Sequence, residues 1–170
     1  MRIIIRKALP EDAFDFTDCH ISCFLSAYKG IVPDDYLNNL LMEKEQLVEK
    51  YIKRLTDQGN CEYYCVINDG KMIGFLIINK SHDEINFCIG EIWAIYLIKE
   101  FWDKGYGKEM LNFAINELKR VDNKEIFLWV LEENIRARKF YEKNKFSFDG
   151  TKGEQVYGKS LVKLRYVYNE

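Results

Sequence analysis

The sequence predicts an α/β fold in which a central mixed β-sheet carries helices on both faces. Apolar runs with strand composition alternate with amphipathic helical segments along the 170 residues. Asn68-Asp69-Gly70 separates two such runs, which is typical of an antiparallel hairpin. Residues 126–131 form an unbroken apolar run between two helical segments, as in a strand buried on both faces. Hairpins and crossovers in one chain favour a mixed sheet.

The first third of the chain is predicted to hold one strand and two helices. Residues 2–7 are rich in isoleucine and predict a strand. Pro10-Glu11-Asp12 begins a helix, because proline suits the first turn and acidic residues suit its positive end. Apolar residues keep helical spacing from there towards Gly30. A second helix is predicted from near Pro33 to beyond Leu55.

Three strands and a third helix are predicted next. Residues 63–67 and 72–78 are the arms of the hairpin, and a further strand covers residues 91–98. A loop containing Gly105 and Gly107 then leads into the helix. The residues that this helix should turn inward are apolar, namely Met110, Leu111, Ala114, Ile115 and Leu118.

The last part of the chain adds a short helix and the final strands. The helix begins at Glu132-Glu133-Asn134 and runs through Tyr141. A last strand, residues 156–168, alternates Val162 and Leu164 with basic residues. The predicted order is β, α, α, β, β, β, α, β, α, β, β, with residues 1–170 as a single domain. If the aromatic-rich last strand lies at a sheet edge it offers a dimer contact, so both monomer and homodimer remain open.

Composition excludes several classes of protein. The formal net charge is −2 and basic residues alternate with acidic ones, which argues against a nucleic-acid partner. No apolar run approaches the ~20 residues of a membrane span. Five cysteines without a secretory signal indicate free thiols and a cytoplasmic location. Cys19 and Cys23 are one helical turn apart, and we expect them to be buried rather than to bind a metal.

The loop at residues 103–107 is a candidate anion site. Gly105 and Gly107 allow positive φ and close approach of a ligand to the backbone. The helix that follows presents unpaired N–H groups, and Lys104 and Lys108 add positive charge, so a pyrophosphate would fit. Neither a P-loop nor a dinucleotide fingerprint matches, because positions 102 and 110 are not glycine. A tight turn before a well-capped helix is the alternative.

The surroundings of this loop resemble the GNAT acetyltransferase superfamily. Residues 91–97 and 102–107 are similar to its acetyl-CoA motif, and residues 134–143, Asn-Ile-Arg-Ala-Arg-Lys-Phe-Tyr-Glu-Lys, are similar to its second signature. The element order also fits, so the resemblance covers nearly the whole chain. Two positions depart from the pattern: Trp102 stands where Gln or Arg is usual, and Lys145 stands where Gly is usual.

The resemblance implies a GNAT-like acyl-CoA N-acyltransferase fold and an enzyme that transfers acetyl from acetyl-CoA to a primary amine by direct attack. Acetyl-CoA would be the cosubstrate, with no metal. The backbone of Ile95, Tyr96 and Leu97 would pair with the pantetheine arm, and Asn134 would hydrogen-bond it. The N–H groups implied to hold the pyrophosphate belong to Asp103, Lys104, Gly105, Tyr106, Gly107 and Lys108.

Two residues are implied to carry the chemistry. Tyr141 holds the family's position for a general acid that protonates the departing thiolate, so it would also contact the cofactor; core packing is the alternative. A base is needed because an alkyl ammonium with a pKa of ~10 must lose a proton before it attacks. Glu91 is the candidate, because it holds the place where several family members carry a catalytic Glu. Its alternative is a solvent-facing strand residue. His20 is expected to be a packed or partly exposed side chain, and His82 is expected to be a surface residue.

The acceptor is less specified. Residues 27–37, together with residues 91–96, resemble a bacterial branch that includes polyamine acetyltransferases. Tyr28, Tyr36, Asp34 and Asp35 would offer aromatic faces and carboxylates to a polycation, although the acidic pair would equally suit the start of the second helix. A small-molecule amine is thus the expected partner. Two other functions stay open: a protein N-terminal or lysine acetyltransferase, and a non-catalytic acyl-CoA-binding regulatory module.

Overall fold

The computed structural model of the chain describes residues 3–80, 89–121 and 123–170. The strands within these ranges are β1 Ile4–Lys7, β2 Cys61–Asn68, β3 Lys71–Asn79, β4 Ile89–Leu97, β5 Glu125–Leu131, β6 Phe146–Tyr157 and β7 Lys159–Tyr168. The helices are α1 Ala13–Ala27, α2 Asp34–Met42, α3 Lys44–Thr56, α4 Tyr106–Lys119 and α5 Ile135–Lys143. The predicted strand start at Arg2 and the turn containing His82 lie outside the described residues.

The seven described strands form one sheet in the order β1-β2-β3-β4-β5-β7-β6, which confirms the mixed sheet. Neighbours are antiparallel except β4 and β5, which are parallel. The β2–β3 hairpin turns at Asp69 and Gly70, whose φ angles are 48° and 75°. Both angles lie in the left-handed region that a two-residue hairpin turn requires. The Asp-Gly pair therefore predicts this hairpin correctly.

Helices cover both faces of the sheet, and each face has its own apolar cluster. On β2, Tyr64 and Val66 join the cluster under α4, whereas Tyr63 and Cys65 join the cluster under α1 and α3, as the alternation of strand side chains requires. The residues predicted to face inward from α4 are all buried: Met110, Leu111, Ala114, Ile115 and Leu118. In the described ranges, no helix is both long enough and apolar enough to cross a bilayer.

The predicted second helix is in fact two helices. α2 ends at Met42 and α3 begins at Lys44, with Glu43 between them. The apolar faces of the two helices have different targets. Leu37 and Leu40 of α2 pack in a third cluster with the end of α1, whereas Tyr51 and Leu55 of α3 pack against the middle of α1 and the sheet. Two short helices reach both targets, and a single straight one does not.

The predicted last strand is also wrong in its extent. Gly158, with a φ of 68°, makes a turn that divides residues 156–168 between β6 and β7. β6 forms the sheet edge and β7 lies between β5 and β6, so the final strand is internal. Val162, one of the apolar residues of the predicted alternation, is 43% exposed, while Leu161 on the opposite face is buried in the third cluster.

Candidate active site

The sheet opens between β4 and β5. In the described part of the chain, their parallel pairing covers residues 89–92 and 125–128 and goes no further along β4. Ile77 pairs with Ala94 and Ile78 pairs with Ile92, so Trp93 is an extra residue in β4. A bulge of this kind bends and twists the strand that carries it. Beyond the bulge the two strands diverge, and a cleft of about 650 Å³ lies between them.

One edge of β4 faces this cleft. The N–H of Ile98 donates to the Ile73 carbonyl at 2.8 Å. Since the hydrogen-bonding groups of successive strand residues point to opposite edges, the backbone groups of Tyr96 face β3, whereas those of Ile95 and Leu97 face the cleft. Tyr96 therefore reaches the cleft through its side chain. A short strand edge is left for a ligand.

The loop before α4 supplies backbone donors to the same cleft. Asp103 and Gly105 have φ angles of 59° and 87° and turn the chain sharply. None of the N–H groups of residues 103–107 donates a hydrogen bond to another residue in the described part of the chain. The N–H of Lys108, by contrast, donates to the Gly105 carbonyl at 3.1 Å. Unused N–H groups at the positive end of a helix favour an anion.

One residue of this loop differs from expectation, and two others lie outside the cleft lining. The prediction of positive φ is wrong for Gly107, which is helical. A Cβ at Gly107 would lie 3.4 Å from the Phe140 ring, so this glycine contributes close packing of α4 on α5. The side chains of Lys104 and Tyr106 do not line the cleft. Lys104 Nζ lies 5.2 Å from the centre of the Phe101 ring, and the Tyr106 ring packs beside the same phenylalanine.

Helix α5 places Asn134 and Tyr141 in the cleft. The side-chain oxygen of Asn134 accepts a hydrogen bond from the Ala137 N–H at 3.1 Å and thereby caps the helix. Tyr141 is only 8% exposed. Burial raises the pKa of Tyr141, and the neighbouring Tyr28 raises it further. The Tyr141 hydroxyl is therefore protonated at neutral pH and is available as a hydrogen-bond donor.

Two further tyrosines line the cleft from the other face of the sheet. The hydroxyl oxygens of Tyr28 and Tyr96 lie 2.5 Å apart. Burial raises the pKa of both, and that of Tyr96 well above its ordinary value. The rings of Phe24 and Tyr157 pack around Tyr28. The opening between β4 and β5 thus brings hydroxyl groups from both faces of the sheet together.

The candidate base and the acidic pair lie outside the cleft lining. Glu91 precedes the bulge, pairs with Asn79 and Phe127 in the sheet and is 6% exposed. The solvent-facing alternative is therefore wrong, and the role of Glu91 as a base stays a prediction. Asp34 and Asp35 are exposed in the first turn of α2, where they complement the helix dipole.

The remaining candidates pack in the interior. His20 Nδ1 lies 3.0 Å from the Tyr51 hydroxyl, and burial lowers the pKa of His20 to about 4. The sulfur atoms of Cys19 and Cys23 are 4.0 Å apart, and both residues are buried, as expected. Over the described ranges, no group of three or more His, Cys, Asp or Glu residues is arranged to hold a metal ion.

Sequence reasoning missed a contact that spans the mouth of the cleft. The Trp102 indole N–H donates to the Leu97 carbonyl at 2.7 Å. The Arg136 guanidinium lies 3.7 Å from the centre of the Trp102 ring and donates to Asp103 at 3.1 Å. Trp102, which departs from the family pattern, thus contacts β4 and α5 and lies next to the loop. Trp102 and Arg136 lie 34 positions apart in the sequence, and the fold brings them into contact. No local sequence signal predicts this contact.

The opened sheet, the donor loop and α5 form a cleft that suits an acyltransferase. Comparison with known sequences identifies the family. The pattern of the Acetyltransferase (GNAT) family matches residues 26–146, so the chain belongs to this family and is an acetyltransferase.

Named relatives sharpen this class. The chain is 31% identical over 118 residues to the spermine/spermidine N(1)-acetyltransferase of Bacillus subtilis, covering 63% of this chain and 77% of the relative. It is 28% identical over 162 residues to the spermidine N(1)-acetyltransferase of Thermoplasma acidophilum, covering 90% and 93%. The crystal structure of PaiA N-acetyltransferase from Thermoplasma acidophilum in complex with coenzyme A superposes with a TM-score of 0.78 at 24% identity, covering 100% of both chains. The predicted GNAT fold is confirmed.

Proposed function

We propose that residues 1–170 act as one domain that transfers acetyl from acetyl-CoA to a primary amine, a polyamine or another small amine, by direct attack in a ternary complex. One observation carries this proposal: the opening between β4 and β5 gathers a strand edge, unused backbone donors and Tyr141 in a single cleft. Two relatives bear the names of polyamine acetyltransferases, and a protein of the same fold was crystallised with coenzyme A, which supports it.

The residues of the cleft fit acetyl-CoA. The unused N–H groups of residues 103–107 suit its pyrophosphate. The N–H and C=O of Ile95 suit the amide groups of its pantetheine arm, as in strand addition. The Asn134 oxygen caps α5, so the NH₂ group is what this side chain brings to the arm. When bound, acetyl-CoA supplies an activated thioester, and the protein's task is to position it and to manage protons.

Tyr141 is the proposed general acid. Its ring packs in the cluster under α4 while the residue lines the cleft, so packing and catalysis are compatible roles. Because burial raises the pKa of Tyr141, its hydroxyl keeps its proton until a sulfur anion develops beside it. The Tyr141 Oη–H then donates to that sulfur, which stabilises the leaving group.

The acceptor amine needs both a place and a base. In the Tyr28–Tyr96 pair one hydroxyl donates to the other, so one O–H and several lone pairs remain for the amine. Trp93, which also lines the cleft and is 51% exposed, adds an aromatic face for a cation. Glu91 lies within the paired part of β4, and we propose that it takes the amine proton through water. Cationic polyamines suit such aromatic surroundings.

The test combines a substrate panel with a pair of matched variants. Spermidine, spermine, an aminoglycoside, amino acids and short peptides are each incubated with the protein and acetyl-CoA, and products are read by mass spectrometry. We expect an acetylated small amine. Tyr141→Phe should lower the rate by roughly 10²–10⁴-fold and still bind acetyl-CoA. Tyr63→Phe, which removes the same atom from a buried tyrosine outside the cleft, should stay active.

The other outcomes separate the alternatives. Acetylation of peptides alone would show a protein acetyltransferase. Acetyl-CoA binding without any product would contradict catalysis and favour the regulatory module. Full activity of Tyr141→Phe would show that this tyrosine only packs.

A further inference from the structure

A row of basic side chains on α5 is not used by the mechanism above. Arg136, Lys139 and Lys143 all line the cleft. Intervals of three and four residues place them along one side of the helix, and all three are exposed. The row lies on α5, whereas the unused N–H groups precede α4. The cleft therefore holds two kinds of positive group, and they adjoin where Arg136 donates to Asp103 of the loop.

The row has little negative charge against it. Asp103 is the acidic residue that lines the cleft in the described part of the chain, and it accepts from Arg136 at 3.1 Å. The side chains of this pair are 89% and 50% exposed, respectively, and exposed ion pairs are weak in water. Arg138 on the same helix is different, because it donates to the Tyr166 hydroxyl and the Glu132 carbonyl and so holds the fold.

Arg136 is already shaped for an anion. Its guanidinium lies 3.7 Å from the Trp102 ring centre, and stacking on an aromatic face keeps the planar fork in place. A guanidinium group binds phosphate through two parallel hydrogen bonds. This interaction is stronger than the single hydrogen bond that Arg136 donates to the exposed Asp103 carboxylate. A phosphate monoester carries about −1.5 to −2 charges at neutral pH and three acceptor oxygens. Such a group would displace Asp103 from Arg136.

Resting on the proposed use of acetyl-CoA, we propose that Arg136, Lys139 and Lys143 bind the 3′-phosphate of coenzyme A and make the protein distinguish coenzyme A from dephospho-coenzyme A. The two kinds of positive group then match the two anionic groups of the ligand: backbone N–H groups for the pyrophosphate, and side-chain cations for the monoester. Coulombic steering towards the cleft depends on the same row.

The test is isothermal titration calorimetry with coenzyme A and with dephospho-coenzyme A, so it needs no turnover. The wild type should bind coenzyme A roughly tenfold or more tightly than the dephospho form. Arg136→Ala and Lys139→Ala should each reduce that ratio severalfold by weakening coenzyme A alone. Lys50→Ala removes one exposed positive charge from α3, away from the cleft, and should leave the ratio unchanged. Arg136→Lys should recover part of the loss.

Two results would overturn the inference: equal affinity of the wild type for both ligands, or variants that weaken both ligands equally. Thermal melting of each variant identifies a folding defect, and a loss confined to one of the two ligands cannot arise from such a defect. Discrimination without acetylation of any amine would support this inference and defeat the catalytic proposal. Failure of the wild type to bind either ligand would defeat both.

Discussion

The two ends of the cleft are built from different kinds of group. The end formed by the loop before α4 and by α5 offers backbone N–H groups and cationic side chains. The end formed by α1 and the bulged part of β4 offers aromatic rings and a hydroxyl pair, Tyr28 and Tyr96. An anionic ligand would suit the first set, and a cationic amine would suit the second.

This difference separates what a fold supplies from what a particular sequence supplies. Backbone donors are present in any sequence that forms the loop, so they survive substitution around them. The end formed by α1 and β4 consists of side chains, and each substitution there changes the shape and polarity of that end. Substitutions at the two ends should therefore affect the two substrates independently.

Among substitutions that test this comparison, the largest effect on binding should come from the loop before α4. Gly105→Val forces a β-branched side chain into a φ of 87°, which costs at least ~1–2 kcal/mol or rearranges the N–H groups. We expect acetyl-CoA affinity to fall roughly 10- to 100-fold, measured by calorimetry. Gly150→Val is the control, because it imposes the same kind of strain at a φ of 95° in β6, outside the cleft lining. Normal binding by the valine variant would show that the loop does not hold the cofactor.

Tyr28→Phe should act on the amine instead. It removes one hydroxyl and leaves that of Tyr96 without its partner, a loss of about 1–3 kcal/mol. We expect kcat/KM for the amine to fall about tenfold while acetyl-CoA affinity is unchanged. Tyr157→Phe, which alters a ring packed on Tyr28 but outside the cleft lining, should have a much smaller effect. Equal losses for both substrates would erase the distinction between the two ends.

Acid should lower the stability of the fold through His20, which lies beside the aromatic end of the cleft. His20 contacts the rings of Phe24 and Phe75, which pack against Tyr96. Burial lowers the pKa of His20 to about 4, so between pH ~6.5 and ~4 the unfolded chain binds the extra proton and the folded chain does not. Stability should therefore decline as the pH falls through this window, by about 1–3 kcal/mol.

The measurement is thermal melting across that pH range. His20→Gln, which has no imidazole to protonate, should flatten the decline. A variant that retains the same pH dependence would place its origin elsewhere.

The smallest effect should follow from restoring the family's glycine at position 145. Lys145 has a φ of 67° and is exposed at the end of α5. Lys145→Gly relieves the left-handed strain but increases the entropy of the unfolded chain, so we expect a net gain of about 0.5–1 kcal/mol. Thermal melting should show it, with amine and acetyl-CoA kinetics unchanged. A change in either rate constant would mean that this turn sets the position of Tyr141.

Local signals predict several features of the fold and of the cleft. The hairpin turn at Asp69, the donor loop at Gly105 and the spacing from Asn134 to Tyr141 each occupy a few consecutive residues. The family resemblance adds their assembly into one site. In all these cases the interactions that determine the structure join residues close together in the sequence, so the sequence pattern predicts the structure.

Other features depend on distant parts of the chain. The bulge at Trp93 arises from pairing with β3, and nothing in the neighbouring residues marks it. The Tyr28–Tyr96 hydrogen bond joins residues 68 positions apart. A single glycine in an alternating run is compatible with a continuous strand or a turn, so Gly158 does not reveal the hairpin on its own. Tertiary packing decides each of these.

The short parallel pairing of β4 with β5 has a consequence for protein lifetime. Within the described residues, direct pairing between the two halves of the sheet is limited to residues 89–92 and 125–128. A ligand strand bound along the free edge of β4 would join them further, and ligand binding adds about 2.7 kcal/mol to folding stability at a concentration of one hundred times Kd. The population of unfolded, protease-sensitive chains would then fall as acetyl-CoA rises, so the abundance of this enzyme would follow the supply of its own cosubstrate.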